Sequence, residues 1–392
     1  MATFRQLPPL QAASAAEAVY RVKKGPDVGD VFSTSEVAGA FDFESCSTKR
    51  VEARSGAFQF KSNTGVGVIA KGTGDFKDDA IIVCRGTAGF YDALTDLNTG
   101  VQQSKTGFTV HAGFNRTFND FRDDIDAFLR VHNKDIKRVH CVGHSLGGAL
   151  ATLSADFVRH KGKEAALYTF GCPRVGLLGL SESLSKSPLV GSQNIQRLYH
   201  SGDPVSMLPL WPFVHAPQPM GECYIGKFID WNPIQHLMAT YTKSIKGHDT
   251  WRTLRNPQPS WEHHVETWLR SDKAGQYLGL NVFNLRMVVG AIRLLIYRVI
   301  RMGTTGGVLF PAVVGATLLD WMSLLLDKAA AISVDADGMV MRLMQRILSM
   351  LGVSVQQSQK LTQAFIRFVL QKLTFAINRS VMLGLMMVAA PL

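Results

Sequence analysis

The stretch Arg138–His160 reads RVHCVGHSLGGALATLSADFVRH, and its middle decides the fold. Arg138–Val142 is an apolar, strand-like run that leads without a linker into GHSLGG and then into a helical pattern. A strand-to-helix turn with small residues on both sides of a serine holds that serine in a strained conformation with its hydroxyl projecting. The pattern predicts Ser145 at the end of a central strand and at the start of a helix, Leu146–His160, whose dipole and free amides favour negative charge. The alternative is a glycine-rich helix start without chemistry.

Strand-like and helical segments alternate on both sides of this turn. Gly113–Asn133 places Phe and Ile at helical spacing among polar residues, which predicts a helix with one apolar stripe. An Ala-rich helix is expected from about Leu10 to Lys24. Such alternation is typical of the α/β class with a mostly parallel sheet. The other predicted strands are Ala57–Lys61, Gly65–Lys71, Ala80–Arg85, Gly107–His111, Ala166–Phe170 and Ile195–His200, and we expect them to pair into a sheet.

Composition and charge exclude several classes of protein. The 392 residues are 46% hydrophobic and 19% charged, which argues against disorder. The net charge of +11 is not gathered into a nucleic-acid-binding module. The five cysteines form no CxxC pair, so buried free thiols are expected rather than zinc ligands or a disulfide framework.

The character of the chain changes near residue 270. From Arg286 onward there are eleven Lys/Arg and four Asp, a net charge of +7 in the most apolar quarter. Three amphipathic helices are predicted: Leu285–Arg301, one around Met339–Leu351, and Leu361–Asn378. Met302–Leu319 has no charge but contains four glycines and a proline, so a helical cap is favoured over a membrane span. We therefore divide the chain into a catalytic domain, residues 1–270, and a hydrophobic, basic helical cap or membrane-associated region, residues 271–392.

A serine nucleophile requires a base and an orienting carboxylate, which follow the serine in the order Asp, His in folds of this kind. Asp203 is the candidate carboxylate, because it lies in the loop Ser201–Val205 directly after an apolar strand. An ordinary Asp-Pro turn is the alternative for it. His236 is favoured as the base, since it begins a helical stretch after a loop, but five other histidines also follow the serine. They are His200, His215, His248, His263 and His264, of which His215 and His248 are the main alternatives.

Several motifs in one order resemble the class 3 lipase family, the fungal-lipase-like branch of the α/β-hydrolases. They span roughly residues 10–245. The matching segments are Arg85-Gly86-Thr87, Asp92 with Asp96-Leu97, Val110-His111-Ala112-Gly113-Phe114, GHSLGGALA from Gly143, TFGCPRVG from Thr169, Asp203-Pro204-Val205 with Leu208-Pro209, and His236 with Tyr241.

The resemblance implies a triad of Ser145, Asp203 and His236, with an oxyanion hole formed by the backbone amides of Thr87 and Leu146. It further implies that Ala88–Leu97 is a lid with an apolar face; a plain surface helix is the alternative. Two departures set this chain apart from fungal members, and the first of them is common among bacterial relatives. The interval from Asp203 to His236 is short, and the C-terminal helical region has no counterpart in a minimal class 3 lipase.

We expect a serine lipase or phospholipase that cleaves acyl esters of glycerolipids, with glycerophospholipid favoured and neutral glycerolipid close behind. Neither a metal nor an organic cofactor is required by this chemistry, and no nucleic-acid partner is expected. The partner is instead a lipid or phospholipid at a membrane surface.

The N-terminus lacks an apolar run after a basic start, so we expect no cleaved signal peptide. A bacterial class 3 lipase of this kind resembles an antibacterial effector that leaves its cell by a non-Sec route. That resemblance implies an immunity or chaperone protein binding the lid or the C-terminal region. The alternative localisation is cytoplasmic and membrane-associated.

A hypothesis from a different class is a membrane-binding or membrane-disrupting protein in which the lipase fold is not the main activity. Liposome leakage separates the two hypotheses. In the second, truncation near residue 275 abolishes activity and Ser145→Ala does not.

Overall fold

The computed structural model describes most of the chain. The described ranges are residues 5–22, 28–44, 49–51, 67–86, 100–200, 202–210, 212–217, 223–225, 232–254, 261–271, 279–301, 317–354 and 359–389. The predicted strand Ala57–Lys61, the predicted lid Ala88–Leu97 and most of Met302–Leu319 lie outside them.

A sheet in the order β1-β3-β4-β7-β8-β9-β10 forms the centre of the described structure, with β2 also paired to β3. Its strands are Phe41–Asp42 (β1), Lys49–Val51 (β2), Gly67–Gly72 (β3), Asp79–Cys84 (β4), Arg138–His144 (β7), Glu164–Phe170 (β8), Ile195–His200 (β9) and Cys223–Ile225 (β10). The run from β4 to β10 is parallel, whereas β1, β2 and β4 pair with β3 in antiparallel fashion. The predicted mostly parallel α/β architecture is therefore confirmed.

One predicted strand belongs elsewhere. The run Gly107–His111 was expected in the main sheet, but its strand Thr109–His111 (β6) pairs with Val101–Gln103 (β5) in a separate two-stranded sheet. The expectation was wrong because alternation of residue types predicts a strand without specifying its partner.

The helices lie around the sheet and after it. Their bounds are Pro9–Ala18 (α1), Val28–Ser33 (α2), Ala112–Val131 (α3), Leu146–His160 (α4), Leu178–Lys186 (α5), Met238–Ile245 (α6), Trp261–Arg270 (α7), Val282–Arg301 (α8), Leu318–Ala330 (α9), Val334–Met350 (α10) and Gln363–Ala389 (α11). None of these helices of the described chain is both long and apolar enough to cross a membrane.

Alternate residues of the central strands supply two apolar cores, one on each face of the sheet. On one face, Ile82 and Cys141 pack with the apolar stripe of α3 and with α4. On the other face, Val83 and Val142 pack with the Ala-rich helix α1 and with α6. The two-residue period of a strand explains the division, since neighbouring side chains point to opposite faces. The sheet is thus the middle layer of three.

The C-terminal helices α7 to α11 form a bundle whose apolar side chains continue the core on the α3–α4 face. An exposed ion pair of Arg270 with Asp335 at 2.7 Å and a half-buried one of Arg298 with Glu266 at 3.1 Å connect its members. Helix α7 packs against α8 and α10, so the bundle already includes residues before 270. The division of the chain at residue 270 remains a prediction.

The last helix reaches the centre of the molecule. Helix α11 ends at Ala389, eleven residues beyond the predicted Asn378, and it packs against the 3-10 turn Pro233–His236. The C-terminal bundle therefore contacts the segment that carries His236.

Candidate active site

The predicted turn between β7 and α4 has the expected geometry. Ser145 has φ 59° and ψ −129°, and it is the non-glycine residue with positive φ in the described part of the chain. Close packing explains the flanking glycines: a Cβ on Gly143 would lie 2.1 Å from the carbonyl oxygen of Gly147, and one on Gly147 would lie 2.2 Å from that of Cys84. The strained backbone is held by hydrogen bonds from Ser145 N–H to Phe170 C=O and from Gly148 N–H to Ser145 C=O.

Three side chains from separate elements meet beyond this turn. His236 Nε2 lies 2.9 Å from Ser145 Oγ, and His236 Nδ1 lies 2.9 Å from Asp203 Oδ2. The carboxylate only accepts, so Nδ1 carries the proton and Nε2 accepts from the serine hydroxyl. All three residues are buried, with exposed fractions of 6% for Ser145, 3% for His236 and 0% for Asp203. The structure thus brings together the three residues predicted as a triad.

Asp203 is held by donors on both carboxylate oxygens. Its Oδ1 accepts from the Val205 amide at 2.8 Å, and its Oδ2 accepts from the Tyr241 hydroxyl at 2.6 Å as well as from His236. Burial alone would raise the pKa of Asp203, but the charge and hydrogen bond of His236 and the hydrogen bond of Tyr241 hold it below its usual value. Asp203 is therefore an ionised partner for the imidazole.

Two further histidines hold the backbone of the turn that carries His236. His144 Nε2 donates to the carbonyl of His236 at 2.7 Å, and its Nδ1 accepts from the Tyr20 hydroxyl at 2.7 Å. His200 Nδ1 donates to the carbonyl of Gln235 at 2.9 Å. Burial, aided by the charge of His236, lowers the pKa of His144 to about 3, and burial also lowers the pKa of His200. Both rings are neutral hydrogen-bonding groups that fix successive carbonyls.

The alternative histidines lie away from the serine hydroxyl. His215 Nε2 donates to the carbonyl of Ser206 at 2.8 Å, and His248 Nδ1 lies 3.0 Å from Thr253 Oγ1. His263 and His264 are in α7. The structure brings His236 alone, among the described histidines, within hydrogen-bonding distance of Ser145 Oγ.

The sequence pattern gave no role to Tyr20 and favoured other histidines over His200 as the base. Tyr20 lies 124 residues from His144, and no local pattern marks a tyrosine that far away as a partner. For His200, its place at the end of the strand just before Asp203 was the available signal. The ring of His200 instead stacks on Tyr241 with centroids 4.1 Å apart.

One of the two predicted oxyanion-hole residues is described. Leu146 is the first residue of α4, where backbone amides have no partner within the helix. Thr87 lies outside the described residues. No group of three or more His, Cys, Asp or Glu converges as metal ligands do in the described ranges.

Comparisons with known proteins find similarity to lipases over part of the chain. Residues 81–213 match the model of the family "Lipase (class 3)". The chain is 31% identical over 153 residues to a secreted mono- and diacylglycerol lipase of Fusarium solani, covering 38% of this chain and 44% of that protein. It is 28% identical over 138 residues to a phospholipase A1 of Oryza sativa subsp. japonica, covering 34% of this chain and 31% of that protein.

A solved structure, the mono- and diacylglycerol lipase of Aspergillus oryzae, is 26% identical with a TM-score of 0.40, covering 56% of this chain and 77% of that one. The chain spans less than half the length of the curated relatives just named. The family match begins within β4, extends past β9 and includes Ser145 and Asp203. Residues 81–213 thus carry the similarity of this chain to the class 3 lipase family.

Proposed function

We propose that this protein is a carboxylic ester hydrolase that cleaves glycerolipid acyl esters through an acyl-enzyme formed on Ser145. The observation that carries the proposal is the continuous chain of hydrogen bonds from Ser145 Oγ through His236 to Asp203, each 2.9 Å long. Names of relatives support the substrate class, since they include mono- and diacylglycerol lipases and phospholipases A1.

In the proposed mechanism, His236 Nε2 removes the proton of Ser145 as the oxygen attacks the ester carbonyl. The imidazolium that forms is stabilised by Asp203, and it gives the proton to the departing alcohol. Water then attacks the acyl-enzyme with His236 again as base, which releases the fatty acid. The amide of Leu146 stabilises the tetrahedral oxyanion together with that of Thr87, and loss of one such donor costs about 3 kcal/mol.

The test uses a soluble short-chain ester and a fluorophosphonate that reacts with activated serines. We expect labelling at Ser145 in the parent protein, no labelling in Ser145→Ala, and loss of ester hydrolysis by at least about a thousandfold in His236→Ala. Ser154→Ala is the matched control, because that buried serine in α4 donates to the carbonyl of Leu150, away from the site. Hydrolysis at the parent rate by Ser145→Ala would exclude the mechanism.

For the lipid class we favour glycerophospholipid, cleaved as a phospholipase A, with mono- and diacylglycerol as the second candidate. The basic C-terminal region supports the first, and the fungal relatives support the second. Mass spectrometry of products from mixed phospholipid and acylglycerol vesicles distinguishes them. Release of lysophospholipid is the result expected.

The role of an antibacterial effector, with an immunity or chaperone partner, is a further proposal from the family resemblance. Toxicity that depends on Ser145 when the protein is directed to a bacterial periplasm would support it, and harmless expression there would exclude it. The membrane-disrupting alternative makes the opposite prediction for Ser145→Ala, since leakage would then persist.

A further inference from the structure

Helix α11 has one face that anchors it to the protein. Ile366, Leu370, Leu373 and Ile377 on this face are each 0% exposed. Their spacing of four, three and four residues keeps them in one row along the helix. The anchored face fixes which side of the helix points outward.

The outward side has an unusual composition for a surface in water. Phe368 is 47% exposed and Phe375 is 67% exposed, two turns apart, with Lys372 and Arg379 beside them. At about 100° per residue, these four side chains occupy an arc of about 60° opposite the buried row. Lys372 Nζ lies 5.4 Å from the centre of the Phe368 ring. We name these four residues the α11 face.

All charged side chains of this helix are basic. Its sequence contains Arg367, Lys372 and Arg379 and no acidic residue. Arg367 pairs with Asp320, whereas neither Lys372 nor Arg379 forms an ion pair with any carboxylate in the described ranges. Exposed aromatic rings between cations are the composition with which a helix binds along an anionic lipid surface.

The position of α11 relates this face to the proposed active site. The helix packs against Pro233–His236, and Ile234 in that turn is 55% exposed. The surface beside the candidate base therefore carries a further exposed apolar side chain. A membrane bound to the α11 face would lie next to the segment that positions His236.

We propose that the α11 face docks the protein on an anionic phospholipid surface, with Phe368 and Phe375 inserted between the lipids and Lys372 and Arg379 against their phosphates. This inference deepens the proposed function, since it assigns the contact with the lipid phase to this helix. It makes a separate prediction, because docking does not require a reactive serine.

Binding is measured by co-sedimentation of Ser145→Ala protein with phosphatidylcholine vesicles that contain or lack phosphatidylglycerol. We expect the parent to bind the anionic vesicles more tightly, and more weakly as salt is raised. The double substitutions Phe368→Ser with Phe375→Ser, and Lys372→Gln with Arg379→Gln, should each lower the partition coefficient roughly tenfold or more. All four side chains point outward, so circular dichroism and the urea midpoint should stay unchanged.

The matched control combines Val131→Ser, at an exposed apolar residue that ends α3, with Lys134→Gln, at an exposed basic residue in the turn that follows. It should bind vesicles as the parent does. Parent-like binding by either α11-face variant, or an equal loss in the control, would overturn the proposal. The proposal would also be overturned if the parent were a dimer that dissociates in the phenylalanine variant without any change in vesicle binding. The α11 face would then be a contact with a second copy of the chain.

The same substitutions in the active-serine protein separate this proposal from the proposed function. Hydrolysis of a soluble short-chain ester should be unchanged, while hydrolysis of vesicle lipid should fall. Absence of ester hydrolysis in every protein would refute the proposed function, and the vesicle binding of Ser145→Ala would still decide the docking.

Discussion

Gly171, directly after β8, allows a sharp test of the triad geometry. Its φ is +54°, and a Cβ built on it would lie 2.5 Å from Asp203 Oδ2, 3.0 Å from His236 Nδ1 and 3.1 Å from Tyr241 Oη. Ordinary contacts begin at 3.4 Å. The methyl group of Gly171→Ala must therefore displace the carboxylate by the difference, about 0.9 Å.

The size of the effect follows from that displacement. Misplacement of a reacting group by about 1 Å can cost roughly a hundredfold in rate. We therefore expect kcat/KM of Gly171→Ala to fall about a hundredfold, equivalent to about 2.7 kcal/mol of transition-state stabilisation. The free energy of unfolding should also fall by about 2–5 kcal/mol. The left-handed conformation of an alanine contributes about 1–2 kcal/mol of this loss, and overpacking contributes about 1–3 kcal/mol.

Gly74→Ala supplies the matched control. Gly74 has φ +52°, but a Cβ there has no atom within 4 Å. It should lose about 1–2 kcal/mol of stability from the backbone alone and keep full activity. The assays are hydrolysis of a soluble short-chain ester at saturating and limiting substrate, and urea unfolding. If Gly171→Ala keeps its activity within a factor of two while folded, the Asp203–His236 contact does not control the chemistry.

Three further predictions concern buried polar groups. Tyr241→Phe removes a donor to Asp203, so we expect the free energy of unfolding in urea to fall by about 1.5–3 kcal/mol and kcat to fall clearly. An unchanged kcat would contradict a role of Tyr241 in holding the carboxylate. Burial lowers the pKa of His144 to about 3, so the unfolded state takes up the proton at a higher pH than the folded state does. The free energy of unfolding should therefore fall by up to about 1.4 kcal/mol per pH unit as pH decreases from about 6.5 toward 3, and urea unfolding of His144→Gln should show a smaller slope. Arg346 is 1% exposed, donates to the carbonyl of Ser271 and stacks over Trp268. Arg346→Ala should lower the thermal midpoint by several degrees, and melting like that of the parent would contradict a role of Arg346 in the bundle.

The sequence was most informative where neighbours along the chain determine structure. The helix Leu146–His160 and the strand Ile195–His200 have the predicted bounds, and the turn at Ser145 has the predicted strain. Each depends on residue types within a few positions. For the same reason, Asp203 could be proposed from its place after an apolar strand.

Contacts between distant segments could not be obtained in this way. Nothing near Tyr20 indicates that its hydroxyl meets His144, and nothing near Thr109–His111 indicates which sheet it joins. The prediction ended helix α11 too early, at Asn378, because the amphipathic pattern weakens there while the helix itself continues to Ala389. Tertiary packing determines these features, and the local residue pattern of a single sequence does not specify tertiary contacts.

The N-terminal segment has a consequence for the order in which the site is assembled. Trp251 Nε1 donates to the carbonyl of Leu7, 244 residues earlier, and Tyr20 supports the site from the same N-terminal segment. At about 5–20 residues per second, a ribosome needs roughly 10–50 s between making Leu7 and Trp251. Until then the N-terminal segment lacks this partner, and for most of that time His236 has not been made either. The nascent chain should therefore complete the contacts around this site only when translation is well advanced.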